Sequence, residues 1–156
     1  MVSLSHIVLS VISLVVGAFI FFTPKGTALH KRAGKIYSLA MIGVNACALA
    51  IYHLTGHFNL FHLTAILSLV LVVIGWAQVI FRRRLRNWLY RHYVYMCWSY
   101  MALVAAALNE GFVRLAPLKA IVRQDGNWVI IAAQAVLISS TAVLVKRNKQ
   151  RMMTLR

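Results

Sequence analysis

The sequence predicts an all-α integral membrane protein, in which four antiparallel transmembrane helices form a bundle and a fifth lies at its periphery. Of the 156 residues, 62% are hydrophobic and only 12% are charged, a composition too apolar for a soluble domain of this length. Five apolar stretches each approach the roughly 20 residues needed to cross a hydrocarbon core. The basic residues fall mostly in clusters between those stretches, as they do in membrane proteins.

The whole chain, residues 1–156, is predicted to be a single transmembrane domain. We place its spans at residues 3–22, 30–56, 60–81, 88–113 and 128–146. The first stretch has no basic segment before it and ends in Thr23-Pro24-Lys25-Gly26, so we interpret it as a retained helix and not as a cleaved signal peptide. The fifth carries no histidine and few polar side chains, which favours a peripheral position.

The distribution of charge predicts the orientation. Four basic residues lie at 25–35, five at 82–91 and five at 146–156, against three at 114–123. Because basic loops stay in the cytoplasm, we expect the C-terminus inside and the N-terminus outside. Residues 52–62 have no charged side chain and are predicted to form an outer hairpin. Anionic lipid of the cytoplasmic leaflet is the expected partner, and the clustering excludes a nucleic-acid groove.

Each of the first four spans has at least one histidine near an end. In the first, second and fourth spans, a histidine begins a helical face made largely of small and polar residues. In chain order the three faces are His6, Ser10, Ser13 and Gly17; His30, Gly34, Tyr37, Met41 and Asn45; and His92, Met96, Ser99 and Leu103. Such faces turn inward in membrane bundles. By depth, His6 pairs with His62 outside, and His30 with His92 inside.

Two neutral imidazoles on facing helices are the arrangement that ligates a b-type haem. We therefore expect these two pairs to bind one or two b haems, with Arg32 near the propionates of the inner one. Electrons would pass from a cytoplasmic or quinone donor to an outer acceptor, which would make the protein a membrane oxidoreductase. The alternative interpretation is that the histidines are inert, hydrogen-bonded groups at a wet interface.

Glu110 is one of only two acidic residues in the chain. We expect it on the inward face near the outer end of the fourth span, where a carboxylate has a partner or handles protons. An ion pair with Arg114, four residues later, is the structural alternative.

Two further functions stay open. His53 and His57 are four residues apart and could bind zinc together with His62, so that a bound water becomes a hydrolytic nucleophile. Gly56 is expected to break the helix between them, which weakens this pattern. The absence of a soluble domain in the sequence is also compatible with a non-catalytic binding or assembly subunit.

One set of residues resembles a known family. The set is Lys25-Gly26-Thr27, His30, Arg32, Gly34, Tyr37, Met41, Asn45, Leu54-Thr55-Gly56, Phe61-His62, His92, Met96, Trp98-Ser99-Tyr100, Glu110 and Arg114. Together these residues resemble the bacterial membrane proteins of domain of unknown function twenty-three-zero-six, which implies a multi-span protein of the bacterial inner (plasma) membrane and no established activity.

The pattern of this family includes the positions of His6, His30, His62 and His92 but not those of His53 and His57. The resemblance therefore favours the paired-histidine interpretation over zinc. The pairing on alternate helices is similar to that of cytochrome b561-type electron carriers, by analogy of arrangement only.

Overall fold

The computed structural model describes residues 2–51 and 60–154. In this part of the chain there are six helices and no strands: α1 (Val2–Phe22), α2 (Ala28–Ala50), α3 (Leu60–Ile80), α4 (Trp88–Arg114), α5 (Ala116–Asp125) and α6 (Trp128–Thr154). All but α5 are long and apolar enough to cross a membrane. The predicted all-α membrane class with five spans is confirmed.

Helices α1 to α4 form a ring, in which α1 packs along α2, α2 along α3, α3 along α4, and α4 returns to α1. Helix α6 packs against α4 from outside the ring, so it is the predicted peripheral helix. Successive spans reverse direction, and α2 and α4 therefore run the same way across one diagonal of the bundle. We call the end at which α2 and α4 begin and α1, α3 and α6 finish the basic end, because it collects the three large clusters of Lys and Arg.

The connection between α1 and α2 shows how the basic end is closed. Helix α1 stops at Phe22, just before Pro24, which cannot donate a hydrogen bond to continue it. The Lys25 ammonium donates to the carbonyls of Ile20 and Phe21, which have no intrahelical partner at a helix C-terminus and carry its partial negative charge. Thr27 then caps α2, its hydroxyl accepting from the His30 backbone N–H at 3.2 Å.

Helix α5 occupies the segment between the fourth and fifth spans, where no helix was predicted. Its first turn contains Pro117, where the missing N–H costs nothing, and Gly126 follows its last residue with φ +73°. Helix α5 contacts both α4 and α6. The connection at this end of the bundle is therefore a short folded element that holds α6 beside α4.

The interior of the bundle is filled by a few large side chains and many small or polar ones. Tyr37 and Met41 of α2 meet Val72 of α3 and Leu103 of α4, and side chains of α1 pack against them. The buried polar residues include Ser13, Ser38, Asn45 and Ser99. Most large aliphatic side chains of α1 and α3 point outward, as expected where the surroundings are hydrocarbon. The predicted inward faces of α1 and α2 are confirmed, as is that of α4 up to Leu103.

Candidate functional site

One hydrogen bond crosses the bundle and fixes the relative depth of α2 and α4. The Tyr37 hydroxyl lies 3.0 Å from Ser99 Oγ, and both side chains are buried. Ser99 uses its only hydroxyl proton to donate to the Met96 carbonyl at 2.9 Å. Tyr37 must therefore be the donor to Ser99.

His30 and His92 lie at matched depth across the same diagonal. His30 precedes Tyr37 by seven residues and His92 precedes Ser99 by seven, which is two helical turns in each helix. Because α2 and α4 run in the same direction, both histidines lie about 10 Å nearer the basic end than the Tyr37–Ser99 bond. His30 is within electrostatic range of His92. The structure thus brings the predicted inner pair together at one level of the bundle.

Backbone carbonyls orient two of the imidazoles. His92 Nδ1 lies 2.8 Å from the Gly75 carbonyl of α3, and His6 Nδ1 lies 3.1 Å from the Val44 carbonyl of α2. A carbonyl can only accept, so Nδ1 carries the proton in both rings and, in the neutral imidazole, Nε2 keeps its lone pair. Metal-binding histidines are held in this way by a second hydrogen bond. Both rings are therefore in the tautomer that can ligate through Nε2.

The space beside His30 differs from the packed middle of the bundle. A Cβ atom added to Gly34 would meet no atom within 4 Å, although Gly34 lies between His30 and Tyr37 on the same helical face. His30 is half-buried, and its Nδ1 is buried with no hydrogen-bond partner among the described residues. One turn further in, Tyr37 and Met41 are almost completely buried and fill the interior. The position beside Gly34 is therefore open, whereas the middle of the bundle is full.

The same end of the bundle carries positive charge next to the pair. Lys25 is within electrostatic range of both His30 and Cys97. Partial burial of its ammonium lowers the pKa of Lys25 from 10.5, and the nearby Cys97 partly offsets this change. Arg32 is exposed on the first turns of α2. Lys25 and Arg32 could both pair with acidic groups of a molecule bound at the basic end.

At the opposite end, the predicted outer pair consists of one half-buried and one buried histidine. His6 is half-buried against α2, and His62 is buried in the first turn of α3. Helices α1 and α3 face each other across the second diagonal of the ring. The zinc alternative needs His53 and His57, which lie outside the described residues. Within residues 2–51 and 60–154, no group of three or more His, Cys, Asp or Glu side chains could hold a metal ion.

Glu110 does not face the interior of the bundle. Its side chain is 57% exposed and forms an ion pair with the side chain of Arg114, which confirms the structural alternative and corrects the predicted inward position. At this level α4 is contacted by α5 as well as by α6, since Gln134 of α6 donates to the Ala105 carbonyl at 3.0 Å and Gly111 lies against Leu118 of α5. The buried side of α4 has therefore changed, and the predicted face turns outward beyond Leu103.

Gly75 is a functional candidate that the residue patterns did not single out, and Lys25 is one to which they assigned no role of its own. A Cβ atom on Gly75 would lie 2.8 Å from Met96 Sδ and 3.1 Å from Tyr95 Cβ, so the missing side chain is what lets α3 approach α4 and reach His92. A lone glycine inside the apolar run of α3 was the available signal. For Lys25, the signal was its place between a proline and a glycine, where the chain must turn back beside α1.

Five spans, an interior of small and polar side chains and a surface of aliphatic ones define a multi-pass helical membrane protein. Residues 3–145 match the family described as a predicted membrane protein, DUF2306. The chain belongs to this family, and the resemblance seen in its residues is confirmed. No curated protein and no solved structure matches the chain. The likeness to cytochrome b561-type carriers gains no support from these comparisons and stays an analogy.

Proposed function

We propose that the protein binds a b-type haem between His30 and His92 and carries electrons within the membrane. The observation that supports this proposal is the matched depth of the two histidines, two turns from the Tyr37–Ser99 bond on helices that run in the same direction. Two axial imidazoles and an apolar surrounding suit a low-spin haem that exchanges single electrons. A second haem between His6 and His62 is an extension of the same proposal.

The residues around the pair have separate roles in this proposal. The Gly75 carbonyl holds the His92 ring by its Nδ1 proton and directs Nε2 to the ligand. The open space beside Gly34 admits the edge of the macrocycle, and the packed side chains of Tyr37 and Met41 keep water out above it. Lys25 and Arg32 offer their charges to the propionates. When bound, the haem supplies the electron-carrying centre that the side chains lack.

The redox partners follow from the position of the site at the basic end. A cytoplasmic donor or a membrane quinone would deliver the electron there, and an acceptor at the opposite end would remove it, so the proposed class is a membrane oxidoreductase. Charge predicts that the basic end faces the cytoplasm of a bacterial inner membrane. Proton handling by Glu110 is then proposed only at the surface of the opposite end, where the carboxylate is exposed.

The test is a reduced-minus-oxidised absorption spectrum of the full chain, purified from membranes of haem-supplied cells, with haem counted per chain. We expect b-type bands and one haem per chain, or two if the His6–His62 extension holds. His30→Ala and His92→Ala should each remove the inner haem, whereas His6→Ala, which also loses a half-buried imidazole bound to a carbonyl, should leave it in place.

A wild-type chain that is folded, supplied with haem and still without haem bands would overturn the proposal. His92→Met separates ligation from folding, because a thioether can replace imidazole as an axial ligand while raising the reduction potential. We expect this variant to keep haem with a shifted potential. Equal haem content in wild type, His30→Ala and His92→Ala would exclude this pair as the ligands.

A further inference from the structure

A cavity lies at the basic end between the α3–α4 connection and the last turn of α6. Its volume is about 470 Å³, and its lining includes Arg83, Arg84, Arg86, Leu89, Met152 and Met153. We call it the arginine cavity. Its lining contains no histidine and shares no residue with the site proposed for haem.

Among the side chains that the structure describes, the arginines of this cavity have no acidic partner. The sequence has only two acidic side chains, Glu110 and Asp125. Both are at the opposite end of the bundle, at the ends of α4 and α5, and Glu110 is already paired with Arg114. Three exposed guanidinium groups within four residues repel one another unless an anion from outside the chain lies among them.

Apart from Asn87, the rest of the lining is apolar. Leu89 is half-buried in the first turn of α4, and Met152 and Met153 come from the end of α6. Trp88, beside Leu89, also lines the cavity, and tryptophan is typical of the membrane–water interface. The first turn of the 27-residue α4 opens onto the same space and adds its partial positive charge. An occupant must therefore combine a negative charge with an apolar portion.

We propose that the arginine cavity binds the headgroup of an anionic phospholipid, with the phosphate among Arg83, Arg84 and Arg86 and the first acyl carbons against Leu89 and the methionines. Basic pockets between membrane helices on the cytoplasmic side bind acidic headgroups in this way, and arginine pairs with phosphate through two parallel hydrogen bonds. The bound lipid would tie the end of α6 to the α3–α4 connection.

The full chain in a neutral detergent is titrated with phosphatidylglycerol or with phosphatidylcholine, and bound lipid is counted by native mass spectrometry. We expect phosphatidylglycerol to be retained and phosphatidylcholine to be lost. The variant Arg83→Gln/Arg84→Gln/Arg86→Gln should bind phosphatidylglycerol on the order of 100-fold more weakly, at about fivefold for each basic residue near the surface.

The matched control is Lys146→Gln/Arg147→Gln/Lys149→Gln, which removes the same charge from the same end of the bundle but from residues outside the cavity lining. We expect it to bind phosphatidylglycerol nearly as the wild type does. Equal losses in the two variants would show diffuse attraction to the whole basic end and would overturn the proposal, as would equal retention of the two lipids. Inorganic phosphate that displaces phosphatidylglycerol at equal concentration would show a free-anion site instead.

Removing three arginines could disturb membrane insertion, so a second variant keeps every charge. Leu89→Trp places a larger side chain in the cavity and should weaken phosphatidylglycerol binding roughly tenfold through steric exclusion. Wild-type affinity in a folded Leu89→Trp protein would contradict a lipid seated in the cavity, whatever the behaviour of the arginine variant.

Discussion

The Tyr37 hydroxyl donates to Ser99 Oγ, 3.0 Å away and 62 positions later in the chain, across the diagonal of the four-helix bundle. Helices α2 and α4 run in the same direction, so this bond fixes their relative height. The depth match of His30 and His92, each two turns away, depends on that height. A buried hydrogen bond between two residues outside the proposed ligand set thus sets the geometry of the proposed site.

Tyr37→Phe should destabilise the protein by about 0.5–1.5 kcal/mol, because it removes the interhelical bond while Ser99 keeps its bond to Met96. Thermal unfolding in detergent measures the effect, and the Tyr37→Phe/Ser99→Ala cycle isolates the coupling between the two side chains. Tyr95→Phe, on a half-buried tyrosine of α4, is the control and should change stability little. Additive effects of the two substitutions in the cycle would contradict the coupling.

Gly17→Ala should destabilise the protein by about 1–3 kcal/mol through overpacking. A Cβ atom at Gly17 would collide with the ring of Tyr100 and would lie 3.0 Å from Tyr37 Cε2, so α1 would have to move away from the bundle. Gly111→Ala is the matched control, since its Cβ atom would meet only ordinary contacts at 3.5 Å or more. Unfolding midpoints of both variants are compared with that of wild type. Because alanine favours a helix more than glycine does, a midpoint of Gly17→Ala equal to or above that of Gly111→Ala would contradict overpacking at Gly17.

Much of the architecture could be predicted because the lipid environment leaves few solutions. Runs of about 20 apolar residues can cross the membrane only as helices, and short basic connections make neighbours antiparallel. The inward face of α2 was predictable for the same reason: Tyr37, Met41 and Asn45 recur at helical spacing and are all buried. Helix α5 was missed because it is short and polar, so hydropathy gives no signal for it.

The candidate site was predictable in its residue types but not in its contacts. Helical spacing placed His92 on an interior face, yet no pattern indicated that a backbone carbonyl, that of Gly75, would hold its ring. Glu110 was wrongly predicted to face inward, because a helical face stays buried only as far as the helices packed against it remain the same. Helix α6 already contacts α4 at Tyr93, which donates to the Leu144 carbonyl, and α5 joins it near Gly111. Beyond Leu103 the predicted face of α4 is exposed at Ala106 and Glu110, which a stripe drawn along one helix cannot show.

The stability conferred by Lys25 should increase with pH. Its pKa in the folded protein is lowered from 10.5, chiefly by partial burial, so the unfolded chain binds more protons in the interval between the lowered pKa and 10.5. The contribution of Lys25 to the unfolding free energy therefore rises as pH increases through that interval. The effect should be small, because the side chain remains largely exposed.

The measurement for Lys25 is the difference in unfolding midpoint between wild type and Lys25→Met, followed from pH 7 to alkaline pH. Wild type should gain stability relative to Lys25→Met as pH rises. A wild-type advantage that shrinks with rising pH would mean that the charged form is favoured by folding, contrary to this assignment.

Glu110→Gln should lower stability by no more than about 0.5 kcal/mol, since the ion pair with Arg114 is an exposed pair one turn apart on α4. The coupling energy from a Glu110→Gln/Arg114→Gln cycle should fall further in high salt because exposed charges are screened. A coupling of several kcal/mol that persists in salt would show that the pair is shielded from water.

Gly75→Ala should weaken both the packing of α3 on α4 and the hold on His92. The new Cβ atom would lie 3.1 Å from Tyr95 Cβ, which is attached to the backbone and cannot swing away, so we expect a loss of about 1–3 kcal/mol in unfolding free energy. Gly43→Ala is the control, because the atom in its way, Leu9 Cδ1, is the end of a flexible side chain.

If haem binds as proposed, Gly75→Ala should also lower haem affinity by roughly 10–100-fold, since the carbonyl that orients His92 moves. Lower stability with unchanged haem affinity would show that the Gly75 carbonyl does not position a ligand, whereas Gly43→Ala should leave haem affinity unaltered.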